Sequence, residues 1–157
     1  MRRFDLHALR FHDASEVWRT LPVEVAPFHY GGLEYRVPGD VVEAKLTAAR
    51  VGDNLTLTLE LQTHVLGPCQ RCLADADLTI DARGIEYVRH GESGATGEDE
   101  DEEAYVVAHQ VDLERWVRDL IAEELPVKFL CRDDCRGLCP VCGADLNADP
   151  GHAHEEA

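Results

Sequence analysis

The clearest alternation of apolar and polar positions lies between residues 42 and 82. Val42, Ala44 and Leu46 alternate with polar residues, and Gly52-Asp53-Asn54 marks a turn. Leu55, Leu57, Leu59 and Leu61 then recur at period two, with Thr56, Thr58, Glu60 and Gln62 on the opposite face. Side chains of an extended strand point to alternate faces, so this pattern predicts an antiparallel hairpin with one dry side. Gly67-Pro68 ends the second strand, and Leu78, Ile80 and Ala82 begin a third alternating stretch. Cys69-Gln70-Arg71-Cys72 therefore falls in the bend between two paired strands. Upstream, Phe4-Asp5-Leu6 reads as a short strand, and Leu21-Pro22-Val23-Glu24-Val25 alternates until Pro27 interrupts it. Tyr30-Gly31-Gly32-Leu33 and Pro38-Gly39-Asp40 read as turns. Trp18, Phe28 and Tyr35 are expected in the core or at its edge. His7, His12 and His29 have no partner pattern and are expected at the surface or in satisfied structural roles.

The period changes after residue 112. Asp112 is placed to cap a helix, and Leu113, Trp116, Val117, Leu120 and Ile121 recur at helical spacing up to Pro126. This predicts an amphipathic helix over 112–125 whose apolar stripe covers the strands, with Trp116 as its anchor. Arg115, Arg118, Asp119, Glu123 and Glu124 are expected to face mostly outward. The fold class expected is α+β: an antiparallel β-meander or partly open barrel covered by one amphipathic helix, with a C-terminal zinc-knuckle segment. Residues 1–90 read as the β-rich part and 91–104 as an acidic linker. Residues 105–157 form the helix and cysteine-rich segment, which packs on the strands so that the whole is one domain.

Charge adds a constraint on partners. The 157-residue chain carries a formal net charge of -16, six units of it from Glu98 to Glu103. Like charges extend a loop and keep it solvated, so that run reads as linker rather than site. So acidic a chain repels free duplex nucleic acid at long range, because phosphate binding depends on Lys and Arg displacing counterions. Any RNA contact would be local or made through a partner. No apolar run has the length of a membrane span, and Met1-Arg2-Arg3-Phe4-Asp5-Leu6-His7 lacks the apolar stretch of a signal peptide. The cytoplasm is the expected location, where thiols stay reduced. The six cysteines there favour metal binding over disulfides.

Four of those cysteines fall within Cys131-Arg132-Asp133-Asp134-Cys135-Arg136-Gly137-Leu138-Cys139-Pro140-Val141-Cys142-Gly143. Thiolates two residues apart on a tight turn bind one tetrahedral cation, and a small residue after the second lets backbone amides face the sulfurs. Cys139 and Cys142 are the firmest ligands. Cys131 and Cys135 are the nearest complement. Cys69 and Cys72 would complete a split ribbon, but 66 residues intervene there instead of three. In an unstructured chain that excess costs on the order of 2–3 kcal/mol, and folding the hairpin and helix first would remove most of it. A third complement is His152 and His154. With Cys131 to Cys142 on one ion, Cys69 and Cys72 would stay free or join a mixed site. Four thiolates and no water position describe a closed structural zinc rather than a catalytic one. Arg71, Lys128, Arg132 and Arg136 lie beside these motifs, to offset thiolate charge or to meet phosphate or a partner. Asp133 and Asp134 read as solvated charges. A phosphate-binding glycine loop, a His-Glu-x-x-His motif and a serine nucleophile elbow are all missing from the sequence. A redox reading of Cys69 and Cys72 would need the pair to open a helix after a strand, where the dipole lowers a thiol pKa. A small zinc-ribbon RNA-binding module is the other alternative.

The order of these pieces resembles the YceD family, also catalogued as domain of unknown function 177. The resemblance runs from about residue 20 to 150. It rests on Cys69-Gln70-Arg71-Cys72-Leu73, on Val111-Asp112-Leu113 opening a helix that ends in Leu125-Pro126, and on Gly137-Leu138-Cys139-Pro140-Val141-Cys142-Gly143-Ala144-Asp145-Leu146-Asn147. Many relatives end in a further Cys-x-Cys where this chain has His152-x-His154, a conservative exchange at zinc. The resemblance implies a non-enzymatic factor in large-subunit ribosomal RNA accumulation, processing and ribosome assembly. A ribosomal protein or an rRNA-processing nuclease is then the expected direct contact.

Overall fold

The computed structural model describes residues 1–11, 15–52, 54–88 and 105–154. His12, the 91–104 linker and its Glu98–Glu103 run lie outside the described residues. The alternating stretches form a four-stranded antiparallel sheet from β2 (Glu16–Glu24), β5 (Val41–Val51), β6 (Asn54–Pro68) and β7 (Asp75–Val88). The spatial order is β2-β5-β6-β7, so each strand after β2 pairs with its predecessor in that row. Between β2 and β5 the chain makes a small hairpin, β3 (Phe28–Tyr30) and β4 (Leu33–Tyr35). A third sheet joins β1 (Arg3–Asp5) to β9 (Gln110–Asp112) and β9 to β8 (Val106–Val107). None of the three sheets closes into a barrel. Among the described residues the fold is mostly β with one α-helix.

The period-two residues all turn one way. Leu57, Leu59 and Leu61 of β6 are buried beside Ala44, Leu46 and Ala48 of β5, and Ile80 and Ala82 of β7 extend the same face. Helix α1 (Leu113–Glu124) lies on it, packed against both edge strands, β7 and β2. Asp112 caps it, its carboxylate accepting from the Arg115 amide at 3.1 Å. Leu113, Trp116, Val117, Leu120 and Ile121 are the buried positions, as their spacing predicts. The helix approaches β7 closely because Gly84 has no side chain: a Cβ there would lie 2.6 Å from Trp116 Nε1. Arg115 and Arg118 are half-buried rather than outward. Arg118 donates to the Ala26 carbonyl, and its guanidinium lies over the Phe28 ring in a cation–π contact.

Trp18 departs from expectation, being 58% exposed. Leu21 and Val23 of β2 face inward, so strand parity sends Trp18, with Thr20 and Pro22, to the outer face. Pro22 is tolerated because β2 is an edge strand. Phe28 and Tyr35 are buried as expected. The β8–β9 turn, Ala108-His109, has positive φ at both residues, the conformation usually taken by Asn-Gly. His7 is exposed, bonded to Asp5 with its ring tilted against that of His109, and His29 is exposed near Glu34.

Candidate metal centre

The β6–β7 hairpin ends in a short loop that carries the first cysteine pair. Pro68 pairs with Asp75, and inside that closure the Cys69 amide donates to Ala74 O at 2.8 Å while the Leu73 amide donates to Cys69 O at 2.9 Å. Leu73 takes φ 62, so the chain turns sharply after Cys72. The Arg71 amide points at Cys69 Sγ, 3.5 Å away. The ladder thus fixes the direction of both thiols.

The second pair repeats this turn. Cys139 donates to Ala144 O at 2.8 Å and Gly143 to Cys139 O at 2.8 Å, with Gly143 at φ 75. Leu138 and Asp145 bridge across its base as Pro68 and Asp75 do for the first. The two turns share one hydrogen-bond pattern although the sequence shows no repeat.

What each turn faces decides the grouping. After α1, the chain runs back past the hairpin tip. Phe129 is buried against Tyr35 at a ring-centroid distance of 4.7 Å, and Tyr30 donates to Val127 O at 2.6 Å. Phe129 also pairs with Gln70: its carbonyl accepts from the Gln70 amide at 2.9 Å, and its amide donates to Gln70 Oε1 at 3.2 Å. This docking brings Cys131 and Cys135 to the first turn. Cys69 Sγ is 3.8 Å from Cys135 Sγ, and Cys72 Sγ is 3.6 Å from Cys131 Sγ. All four sulfurs lie within 4.8 Å of one another. Sulfurs about 2.3 Å from a tetrahedral zinc are about 3.8 Å apart, and a disulfide would need about 2.05 Å. The donors fit a four-thiolate metal site. The second turn is grouped instead with His152 and His154, again within 4.8 Å.

Neither the contiguous set Cys131, Cys135, Cys139 and Cys142 nor the split ribbon of Cys69, Cys72, Cys139 and Cys142 is the arrangement found. The structure brings His152 and His154, the third complement, together with Cys139 and Cys142. Cys69 and Cys72 join Cys131 and Cys135, a pairing that spacing alone does not pick out.

The thiols respond to this crowding. Burial pushes Cys69 upward, but amide hydrogen bonds from Arg71, Cys131 and Cys72 outweigh it and bring the thiol down to about 6. Desolvation at the crowded sulfurs and the neighbouring thiols push Cys131 up to about 12, and Cys72 is also raised. Adjacent thiolates repel, so one ionises early and its neighbours resist until a cation neutralises the set. Amide hydrogen bonds from Cys142 and Val141, and then His154, bring Cys139 down to about 6. Cys69 is fully buried at the end of a β-hairpin and faces other cysteines, so it does not have the open helix-terminal setting of a redox nucleophile.

The basic residues beside the motifs are mostly engaged within the protein. Arg71 Nη1 donates to Cys135 O at 2.6 Å, and Arg71 O accepts from the Leu138 amide at 3.1 Å. Arg132 donates to Asn147 Oδ1 and pairs with Asp134, and Arg136 donates to Pro150 O. Lys128 is exposed. Asn147, which spacing does not single out, accepts from the Arg136 amide at 2.8 Å and directs Nδ2 toward Cys135 Sγ at 3.6 Å.

Comparison with known proteins gives the family of the chain. The family model described as large ribosomal RNA subunit accumulation protein YceD matches residues 57–157. An uncharacterized protein of Mycobacterium tuberculosis is 35% identical over 120 residues, covering 75% of this chain and 58% of that protein. One of Mycobacterium leprae is 29% identical over 119 residues, covering 74% and 54% respectively. The chain thus spans little more than half the length of these relatives. The Zea mays chloroplastic large ribosomal RNA subunit accumulation protein YCED homolog 1 is 40% identical over 38 residues, 24% of this chain and 13% of that protein. No solved structure matches. The family model matches more than half of the chain, and the chain belongs to the YceD family of large ribosomal RNA subunit accumulation proteins.

Proposed function

We propose that this chain is a non-enzymatic factor supporting large-subunit ribosomal RNA accumulation and ribosome assembly, with a structural zinc ion held by Cys69, Cys72, Cys131 and Cys135. The observation that carries the reading is where the family match falls: residues 57–157 contain all eight cysteine and histidine donors of the two clusters. Four thiolates leave no coordination position for water or substrate, so such an ion holds structure rather than reacts. It would fasten the zinc-knuckle segment, together with the apolar stripe of the amphipathic α1, onto the β-rich part, making residues 1–90 and 105–157 one unit. Among the described residues no helix is long and apolar enough to cross a membrane. We place the chain in the cytoplasm.

The direct partner is a basic one. A net charge of -16 disfavours coating RNA, and Arg71, Arg132 and Arg136 are already engaged within the protein. A ribosomal protein or rRNA-processing nuclease rich in Lys and Arg matches the acidic surface, with RNA contacted locally or through it. The test is a strain depleted of this protein and complemented with the wild type or with C69S/C72S. Large-subunit rRNA should fall relative to small-subunit rRNA on depletion and recover only with the wild type. An unchanged ratio on depletion would refute the ribosomal role. Full rescue by C69S/C72S would refute the need for the zinc.

A further inference from the structure

We propose that Cys139, Cys142, His152 and His154 form a second, exchangeable site for a thiophilic divalent cation, and that its filling steadies the first site through Asn147. The linkage half rests on the four-thiolate reading above; the second site itself does not.

Four observations carry the site. Both imidazoles present the same nitrogen to a common point: His154 Nε2 is 3.1 Å from Cys139 Sγ, His152 Nε2 is 3.2 Å from Cys142 Sγ, and the two Nε2 atoms are 3.1 Å apart. A tetrahedral N2S2 zinc requires nitrogens about 3.3 Å apart and N···S separations of about 3.5 Å, within a few tenths of what is found. Two imidazole nitrogens so close repel unless a proton or a cation lies between them. Next, a carboxylate lies on the far side of His152: Asp149 Oδ2 is 4.0 Å from Nδ1, and Asp149 Oδ1 accepts from the Gly151 amide at 3.2 Å. A carboxylate behind a ligating histidine is the usual outer partner of a metal-bound imidazole. Third, the Cys139–Cys142 turn has the hydrogen bonds of the Cys69–Cys72 turn, so its thiols are aimed in the same way. Last, the second site is the more open of the two: Cys142 and His154 are exposed and Cys139 is buried, whereas in the first site Cys69 and Cys135 are buried and Cys131 is exposed. The donor set suits zinc, cobalt(II) or cadmium over magnesium or calcium, and its exposure favours exchange.

The linkage follows from the chain between the ligands. Asn147 lies in the loop that Cys142 and His152 would close around the ion. Its amide donates to Asp145 Oδ1 at 2.9 Å, its Oδ1 accepts from the Arg136 amide and from Arg132 Nη2, and its Nδ2 faces Cys135 Sγ. Closing the second site therefore fixes a hydrogen-bond donor on a thiolate of the first.

The test uses the full chain, loaded with zinc for stoichiometry and with cobalt(II) for spectra. The wild type should bind two ions. H152A/H154A should bind one, and its thiolate-to-cobalt absorption should fall by about one third, since two of six thiolates lose their metal. Under chelator the second-site ion should leave first. The remaining ion should then leave several-fold faster from H152A/H154A than from the wild type. N147A should still bind two ions but release the first-site ion at the faster rate. One ion in both the wild type and H152A/H154A would overturn the second site and leave the structural zinc standing. No ion in either would overturn both. Two ions in the wild type with unchanged first-site release in H152A/H154A or N147A would overturn the linkage.

Discussion

Alanine at Gly137 and at Gly143 should have unequal costs, and the difference measures how firmly the two cysteine turns are joined. Both glycines take left-handed backbone, φ 80 and φ 75, so both substitutions carry the same conformational penalty of about 1–2 kcal/mol. Their surroundings differ. A Cβ at Gly143 meets nothing within 4 Å, whereas one at Gly137 lies 2.9 Å from Arg71 O and 3.2 Å from Arg71 Cβ. The obstructing oxygen belongs to the backbone of the first turn, so no side-chain rotation relieves it. Overpacking of this kind costs about 1–3 kcal/mol more. Relief would come from breaking the hydrogen bond from the Leu138 amide to Arg71 O, which holds the second turn on the first. The assay is amide hydrogen exchange at Leu138 in metal-loaded protein, which reports local opening. G137A should speed that exchange roughly 5–150-fold beyond G143A, the spread that 1–3 kcal/mol implies. Equal exchange in the two variants would refute the contact between the turns.

Two further outcomes test the packing on which the site stands. Gly84→Val should destabilise the protein by more than about 2 kcal/mol in urea unfolding, because its side chain would enter the space of Trp116 and Leu120; an unchanged midpoint would mean that α1 does not pack there. Tyr105 stacks on Trp116 and donates to Asp119, and burial, then the Asp119 carboxylate, pushes its pKa from the ordinary 10.0 to about 12. A raised acid pKa means that the folded state favours the neutral phenol. Its contribution is therefore complete below the unfolded value and lost as pH climbs from 10.0 to about 12. Stability should fall over that window, and Tyr105→Phe should flatten the decline.

Much of the fold is legible in the residues because it is written in long periodic runs. Leu55 to Leu61 give the central strand, Leu113 to Ile121 give the helix and its buried positions, and Cys69 to Cys72 fall in the bend where the alternation breaks. Trp18 is misjudged when its bulk is weighed instead of its parity with Leu21 and Val23. The strands β3, β4, β8 and β9 are too short for periodicity, and Ala108-His109 hides a turn that usually shows itself by Asn-Gly. The eight donors are legible as residue types, but their grouping is not. Loop-closure cost favours neighbours along a free chain. Here the β6–β7 hairpin and α1 have already paired Gln70 with Phe129, so Cys131 meets Cys72 across a long stretch of sequence at little further entropic cost. The same ordering leaves Cys139 and Cys142 to the two histidines of the tail.

The account turns on which sulfurs share an ion. Cadmium-113 NMR of the cadmium-loaded chain, correlated through the metal to assigned cysteine β-protons, reads this directly. We expect one cadmium resonance coupled to Cys69, Cys72, Cys131 and Cys135 together. A resonance joining Cys131 and Cys135 to Cys139 and Cys142, or Cys69 and Cys72 to Cys139 and Cys142, would contradict it.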